Sequence, residues 1–325
     1  MSKKIQVFMM FVFLLTFLTF TLSVIKLTTE KTTQSKLQKV SNFSSIMQEG
    51  IAKIKLKGII HNDETLSDGI YAQQVVDWIQ EIKDNINLLG VLIEIDSPGG
   101  EVGATKMIYN ALMSLRKEKP VVVYITNIAA SGGYYIASAA DKVLSYETAI
   151  IGSIGVIMLR PNLQSLLEKI GIEVYVLKSG KYKDISYPFR NLSEEEKEMY
   201  NEILETAYMG FISDVALGRK QSEKVVKDDW AEGRIFSAKK AKAYQMIDDF
   251  GGEEEAIQAL KLMLKTTKDF PIYEPEEDPL KTIFKYLNIK IFSNQRTLPQ
   301  NQFYQVYYLF FNSSVLNYYF QNLLQ

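Results

Sequence analysis

Between residues 51 and 145, apolar and polar positions alternate in blocks of two different periods. "IAKIKLKGII" from Ile51 alternates residue by residue, the pattern of a half-exposed strand. "AQQVVDWIQEIKD" (72–84) spaces its apolar residues as a helix does, and "LLGVLIEI" (88–95) is apolar almost throughout, as in a strand covered on both faces. "ATKMIYNALMSLRK" (104–117) is helical again, and "PVVVYI" (120–125) is a second buried strand. Strand, helix, strand, helix, strand predicts an α/β fold: a parallel sheet flanked by helices. "DKVLSY", "AIIGSIGVIM" and "EVYVLKS" (173–179) predict further short strands. Ser193 and Glu196 form a capping-box signature ahead of a long helix, and residues 233–264 predict two more helices, broken at Gly251 and Gly252.

The two ends differ from this body. Residues 5–25 carry no charge over the length needed to cross a bilayer, so residues 1–25 read as an uncleaved membrane anchor. A cleaved signal peptide fits less well, because the apolar run exceeds the usual signal core and no A-x-A-like site follows. Long following domains translocate regardless of flanking lysines, so the expected arrangement is a single pass through the bacterial cytoplasmic membrane, with the folded part outside. Residues 26–49 are polar and read as a tether; the folded domain is expected over 50–265. Residues 266–325 form an extension that includes the acidic, prolyl stretch "YEPEEDP" and a tail dense in Tyr, Phe, Asn and Gln, expected to pack on the body, a neighbouring subunit or the membrane surface.

Composition narrows the chemistry. With 38 acidic against 37 basic residues the net charge is −1, which gives no reason to expect a nucleic-acid partner. There is no cysteine, which excludes disulfides, thiolate metal sites and a cysteine nucleophile; the single histidine, His61, excludes any site needing two imidazoles. No metal and no cofactor is expected. A hydrolase built from this chain would draw its base from His61, a carboxylate or a lysine.

Ligands of parallel sheets bind at the carboxyl edge of the strands, and two small-residue stretches fall there: "DSPGG" (96–100) and "NIAASGG" (127–133). Gly99 and Gly100 can bring backbone N–H groups to close range, as an oxyanion demands. Ser131 sits at a strand-to-helix turn among residues small enough to let a carbonyl approach its hydroxyl. A serine nucleophile needs a base. His61, beside "NDE" at the end of the first strand, reads as a surface turn. Lys178, Lys181 and Lys183 lie together in "LKSGKYKDISYPF", and the residues alone do not choose among them.

"DSPGG", "AASGGYYIASAAD", "IGSIGV" and "SGKYKDISYPFR", in this order over roughly residues 50–260, resemble the signal peptide peptidase A family of membrane-bound serine peptidases. Its fold is similar to that of the Clp protease proteolytic subunit and of crotonases. The resemblance implies a peptidase domain over 50–265 with Ser131 as nucleophile and Lys183 as general base. It implies that Ser153 helps to hold that lysine, and that Gly100, with Gly99 as a weaker member, supplies the oxyanion hole. One copy of each motif matches the half-length type. This implies a membrane-anchored homo-oligomeric ring, an octamer, in which the lysine reaches a neighbour's serine. The implied substrates are signal-peptide remnants and other membrane-associated or unfolded peptides, with small or apolar side chains favoured. Gln245 departs from the family pattern, which has glycine there. The alternatives from other classes are a crotonase-like acyl-CoA enzyme and a catalytically silent membrane scaffold.

Overall fold

The computed structural model of the chain describes residues 37–40, 42–64, 66, 68–275 and 306–309. The predicted anchor, residues 1–25, lies outside the described residues. Among the described residues no helix is long and apolar enough to cross a membrane.

The main sheet begins with β1 (Leu37–Val40) and β2 (Gly50–Lys57); two short strands, β3 (Ile60–His61) and β4 (Ile70–Tyr71), follow. Helix α1 (Ala72–Asp84) leads to β5 (Leu88–Ser97), β6 (Gly99–Glu101) and α2 (Val102–Leu115). Then come β7 (Val121–Ala130), α3 (Gly132–Ser138), β8 (Lys142–Ser145), β9 (Ile150–Gly152) and β10 (Ile157–Met158). A short α4 (Gln164–Lys169) and a long α5 (Glu194–Arg219) bracket an irregular arm. The chain continues through β11 (Ile235–Ser237), α6 (Ala238–Ala243), β12 (Asp249–Phe250), α7 (Glu253–Met263) and β13 (Ile272–Pro275) to β14 (Val306–Leu309).

Strands β1-β13-β2-β5-β7-β8-β12 pair side by side, all in parallel, as the alternation of strands and helices predicts. The far end of β7 turns away to pair with β9, which pairs antiparallel with β11. A second, smaller sheet runs β10-β14-β6-β3-β4. Residues of β5 and β7 alternate between two cores. Val91, Ile93, Val121 and Val123 face one side with α1, α2, α3 and α5; Leu92, Val122 and Tyr124 face the other with Ala256 and Leu260 of α7. Each fully buried aliphatic chain contributes roughly 1.5–3 kcal/mol, so the central strands, apolar on both faces, anchor the fold.

Three expectations change. β2 is not half-exposed: the second core covers its other face, and Lys53 is 3 % exposed, ion-paired with Glu253 at 2.5 Å, Glu274 at 3.2 Å and Glu94 at 3.6 Å. Burial alone would lower the Lys53 pKa, but Glu253 and Glu274 outweigh it and the net shift is upward. The folded body also reaches further in both directions than 50–265. Phe43, in the stretch read as tether, is buried in the core, and Ile272–Pro275 joins the main sheet between β1 and β2. Finally, residues 173–179 form no strand; with no partner edge beside them they run as coil, and Tyr175 and Leu177 are largely exposed.

Candidate active site

β5 ends in the turn "SPGG". The Ser97 hydroxyl donates to Gly58 O at 2.7 Å and accepts the Gly99 N–H at 3.2 Å, fixing the turn before β6 begins. Gly100 pairs with Ile60 of β3, and the approach is so close that a Cβ at Gly100 would lie 1.9 Å from Ile60 O. Only glycine fits.

β7 ends at Ala130, and Ser131 follows as the N-cap of α3 with φ 52° and ψ −117°, a conformation disfavoured for a residue with a Cβ. Its N–H donates to Gly152 O at 2.7 Å, and its carbonyl accepts from Tyr135 N at 2.9 Å. A side chain at Gly132 would meet the Gly100 nitrogen at 3.2 Å and Gly99 Cα at 3.2 Å. The two small-residue stretches therefore touch. Ser153 follows Gly152, with φ 54°, and its N–H donates to Arg234 O at 2.6 Å. The structure thus brings Ser131, Gly99, Gly100 and Ser153 to one edge. Beside Ser153 a cavity of about 510 Å³ opens between β10 and α5, lined by Val156, Ile157, Glu205, Tyr208 and Glu232 among others.

Ser131 is fully buried and its hydroxyl has no hydrogen-bond partner. Above it, β14 pairs antiparallel with β6, Tyr308 opposite Gly100 and Leu309 opposite Gly99, and with β10 on its other side.

The three candidate lysines have different surroundings. Lys178 donates to Asp184 Oδ1 at 2.5 Å, and Lys181 pairs with Glu195, which also accepts the Tyr182 hydroxyl. Lys183 is exposed, and its amine makes no hydrogen bond or ion pair among the described residues. It does not meet Ser131 within the chain, since that hydroxyl is unpartnered. Hydrogen bonds from Arg190 and Lys178 hold the Asp184 carboxyl well below the usual carboxylate range. Arg190 likewise brings Glu196 down to about 2. His61, read as part of a surface turn, is instead buried: it lies in β3 beside β6, stacked with Tyr71, with both ring nitrogens unpartnered, and burial lowers its pKa.

Sequence reading missed the Ser97 hydroxyl that shapes the glycine turn and the Gly152 carbonyl that fastens the serine. Neither has a side-chain signature at that spacing. Asp184 and Arg190 were within reach, as paired opposite charges six residues apart in the lysine motif.

A parallel α/β sheet that presents a strained serine beside close-packed glycine amides at its carboxyl edge is the framework of a serine hydrolase. The sequence profile of peptidase family S49 matches residues 113–267, and that of Clp protease matches residues 38–153. A putative protease of Methanocaldococcus jannaschii is 37% identical over 219 residues, covering 66% of this chain and 70% of that protein. A putative signal peptide peptidase SppA of Enterococcus faecium is 33% identical over 248 residues, 74% of this chain and 71% of that protein. A ClpP1 mutant from Listeria monocytogenes superposes with a TM-score of 0.43 and 16% identity over 63% of this chain and 94% of that one. The chain belongs to peptidase family S49, and it is a serine peptidase of the signal peptide peptidase A type.

Proposed function

We propose that the protein is a membrane-anchored serine endopeptidase in which Ser131 and Lys183 act as a dyad on signal-peptide remnants and other membrane-associated or unfolded peptides. The observation that carries this reading is the contrast among the lysines. Lys178 and Lys181 are neutralised by carboxylates, whereas Lys183 stands free on an exposed arm. A buried serine without a partner and an exposed lysine without a partner are complementary halves. The dyad is completed between copies, in a closed ring of eight whose members each lend a lysine to the next. The apolar side chains of the arm, Ile170, Ile172, Val174 and Leu177, are exposed in the single chain and would be covered in such a ring. The cavity beside Ser153 gives the incoming lysine a route to that residue.

In the mechanism, the neutral Lys183 amine takes the Ser131 hydroxyl proton as Oγ attacks the peptide carbonyl carbon. The carbonyl electron pair moves to oxygen, where the Gly100 N–H receives it; the Gly99 N–H, expected as a weaker member, is already donated to Ser97 Oγ. The tetrahedral species collapses, the leaving amine takes the proton from Lys183, and an acyl-serine remains. Water, deprotonated by Lys183, attacks the ester and restores Ser131. Ser153 orients the lysine. A substrate would bind extended, taking the place on the β6 edge that β14 fills as an antiparallel strand.

Mixing tests the reading. Ser131→Ala and Lys183→Ala should each be inactive, and an equimolar mixture with confirmed subunit exchange should regain about one quarter of the normal activity, the chance that a surviving serine meets a surviving lysine. Two inactive variants with no recovery would place the dyad within one chain. A fully active Lys183→Ala would remove that residue as the base.

A further inference from the structure

The arm that carries Lys183 has almost no regular structure between α4 and α5, and residues 171–181 are all exposed. Apolar burial therefore does not fix it, and polar groups do. Arg190 is at the centre. Its Nε donates to Asp184 Oδ2 at 2.9 Å and its Nη2 to Asp184 Oδ1 at 2.9 Å. Nη2 also donates to Glu196 Oε1 at 2.6 Å, and Nη1 to Glu196 Oε2 at 2.7 Å and to Asn191 O at 2.9 Å. All five guanidinium N–H groups are engaged, four of them in forked pairs with two buried carboxylates.

These carboxylates connect different parts of the molecule. Asp184 is the residue after Lys183 and is 3 % exposed. Glu196 is the third residue of α5, where its Oε2 also accepts the Ser193 N–H at 2.9 Å in the capping box. On the other side of Lys183, Lys181 and Tyr182 both reach Glu195 in the same helical turn. The backbone beyond is held by Arg160, which donates to Ile185 O at 3.3 Å, Tyr187 O at 2.5 Å and Arg190 O at 3.0 Å. Of the four residues from Lys181 to Asp184, three are tied down by their side chains, and Lys183 is the one left extended from a fixed base.

We propose that Arg190, through its double fork to Asp184 and Glu196, is the positioning residue that aims Lys183 at the nucleophile, although it touches neither substrate nor serine. The proposal rests on Lys183 being the base. Catalysis is steep in position: an error near 1 Å in a reacting group costs about 10²-fold in rate. A lysine on an otherwise unpacked arm can meet that tolerance only if its backbone is fixed by such a fork. A lysine at 190 keeps the charge but cannot bridge two carboxylates in a plane.

The test uses the full-length chain with Arg190→Gln, Arg190→Lys and Asp184→Asn, each assayed for kcat, KM, melting temperature and assembly. For all three, the expected result is a kcat lower by about 10²-fold with KM within about twofold, and with the oligomer intact. The double variant Arg190→Gln with Asp184→Asn should be no worse than the weaker single one, because both remove one anchor. Unchanged kcat in Arg190→Lys and Asp184→Asn would overturn the proposal, as would a loss that appears in KM or follows dissociation of the oligomer. Should Arg190→Gln fail to fold, the other two variants still decide. Lys183→Ala is run in parallel: if it stays fully active, the base assignment fails whatever Arg190 does. If it is inactive while the clamp variants keep normal kcat, the clamp alone fails.

Discussion

Ser131 donates its backbone N–H to the carbonyl of Gly152 at 2.7 Å, so the turn bearing the proposed nucleophile is fastened to the residue just before Ser153. Both serines have positive φ, 52° and 54°. Two left-handed residues joined through one hydrogen bond form a local structure that the surrounding strands β7 and β9 must hold in place.

The strain at Ser131 leads to a stability prediction. A non-glycine residue in such a conformation costs about 1–3 kcal/mol, partly offset on replacement by the roughly 0.5–1 kcal/mol of extra backbone entropy that glycine loses on folding. Ser131→Gly should therefore raise the melting temperature by roughly 2–4 °C while lowering kcat about 10⁵-fold or more. Ser131→Ala should lose the same activity without that gain. Calorimetry on the pair, beside the active protein, checks it; a Ser131→Gly variant that melts lower would show the turn to be unstrained.

Gly100 should tolerate no side chain. A methyl group 1.9 Å from Ile60 O forces β3 and β6 apart and moves the N–H proposed to receive the oxyanion. Gly100→Ala is expected to lose about 10²–10³-fold in kcat. Gly103→Ala, in α2 with open space around it, should leave activity intact. Steady-state kinetics on an unfolded protein substrate distinguish the two.

His61 gives the stability a pH dependence above the carboxylate range. Burial lowers its pKa below the ordinary histidine value of about 6.5, so the unfolded chain binds the proton more readily. Its contribution is complete above pH 6.5 and is lost as pH falls towards the folded-state pKa. Asp184 and Glu196, also lowered, lose theirs only below the ordinary carboxylate pKa. Glu101, raised by burial, works in the opposite sense as pH drops towards its range. Melting temperature should be flat from pH 8 to 7 and fall between pH 6.5 and 5.5, and His61→Phe should flatten that fall. An equally steep fall in the variant would assign the dependence elsewhere.

β14 and a substrate strand would compete for one edge. If β14 occupies it nine-tenths of the time, a chain ending at Pro275 should show about tenfold higher kcat/KM on short extended peptides. Equal or lower kcat/KM in the shortened chain would mean that the strand does not obstruct substrate.

Much of this was legible in the sequence because the central strands are apolar on both faces. "LLGVLIEI" and "PVVVYI" have no other comfortable environment, and the two glycine-rich stretches follow at their carboxyl ends. The family resemblance, not the residues by themselves, singled out Lys183. Residues 173–179 misled because their alternation is real but has no strand beside it within the chain. Lys53 misled because a lysine in an alternating strand reads as solvent-facing unless its carboxylate partners, up to 221 residues away at Glu274, are known. Gln245 stands at φ 61° just past the C-cap of α6, Tyr244, where glycine would be unstrained; its side chain accepts from Gln221 at 2.8 Å and its carbonyl from Arg219 at 3.1 Å. The backbone shape expected of glycine is kept, with neighbours holding the substitute in place.

The contact between Gly132 and the Gly99–Gly100 turn determines where such a molecule can change. Both loops are wedged against β3, β5 and α2, so a substitution in either strains the centre of the fold. The arm from Ile170 to Leu177 carries no such burden within one chain. A saturation scan read out by folding alone would be nearly blank at Gly100, Gly132 and Gly133 and permissive along the arm. Sequence change would then gather in the arm, leaving the glycine turns untouched.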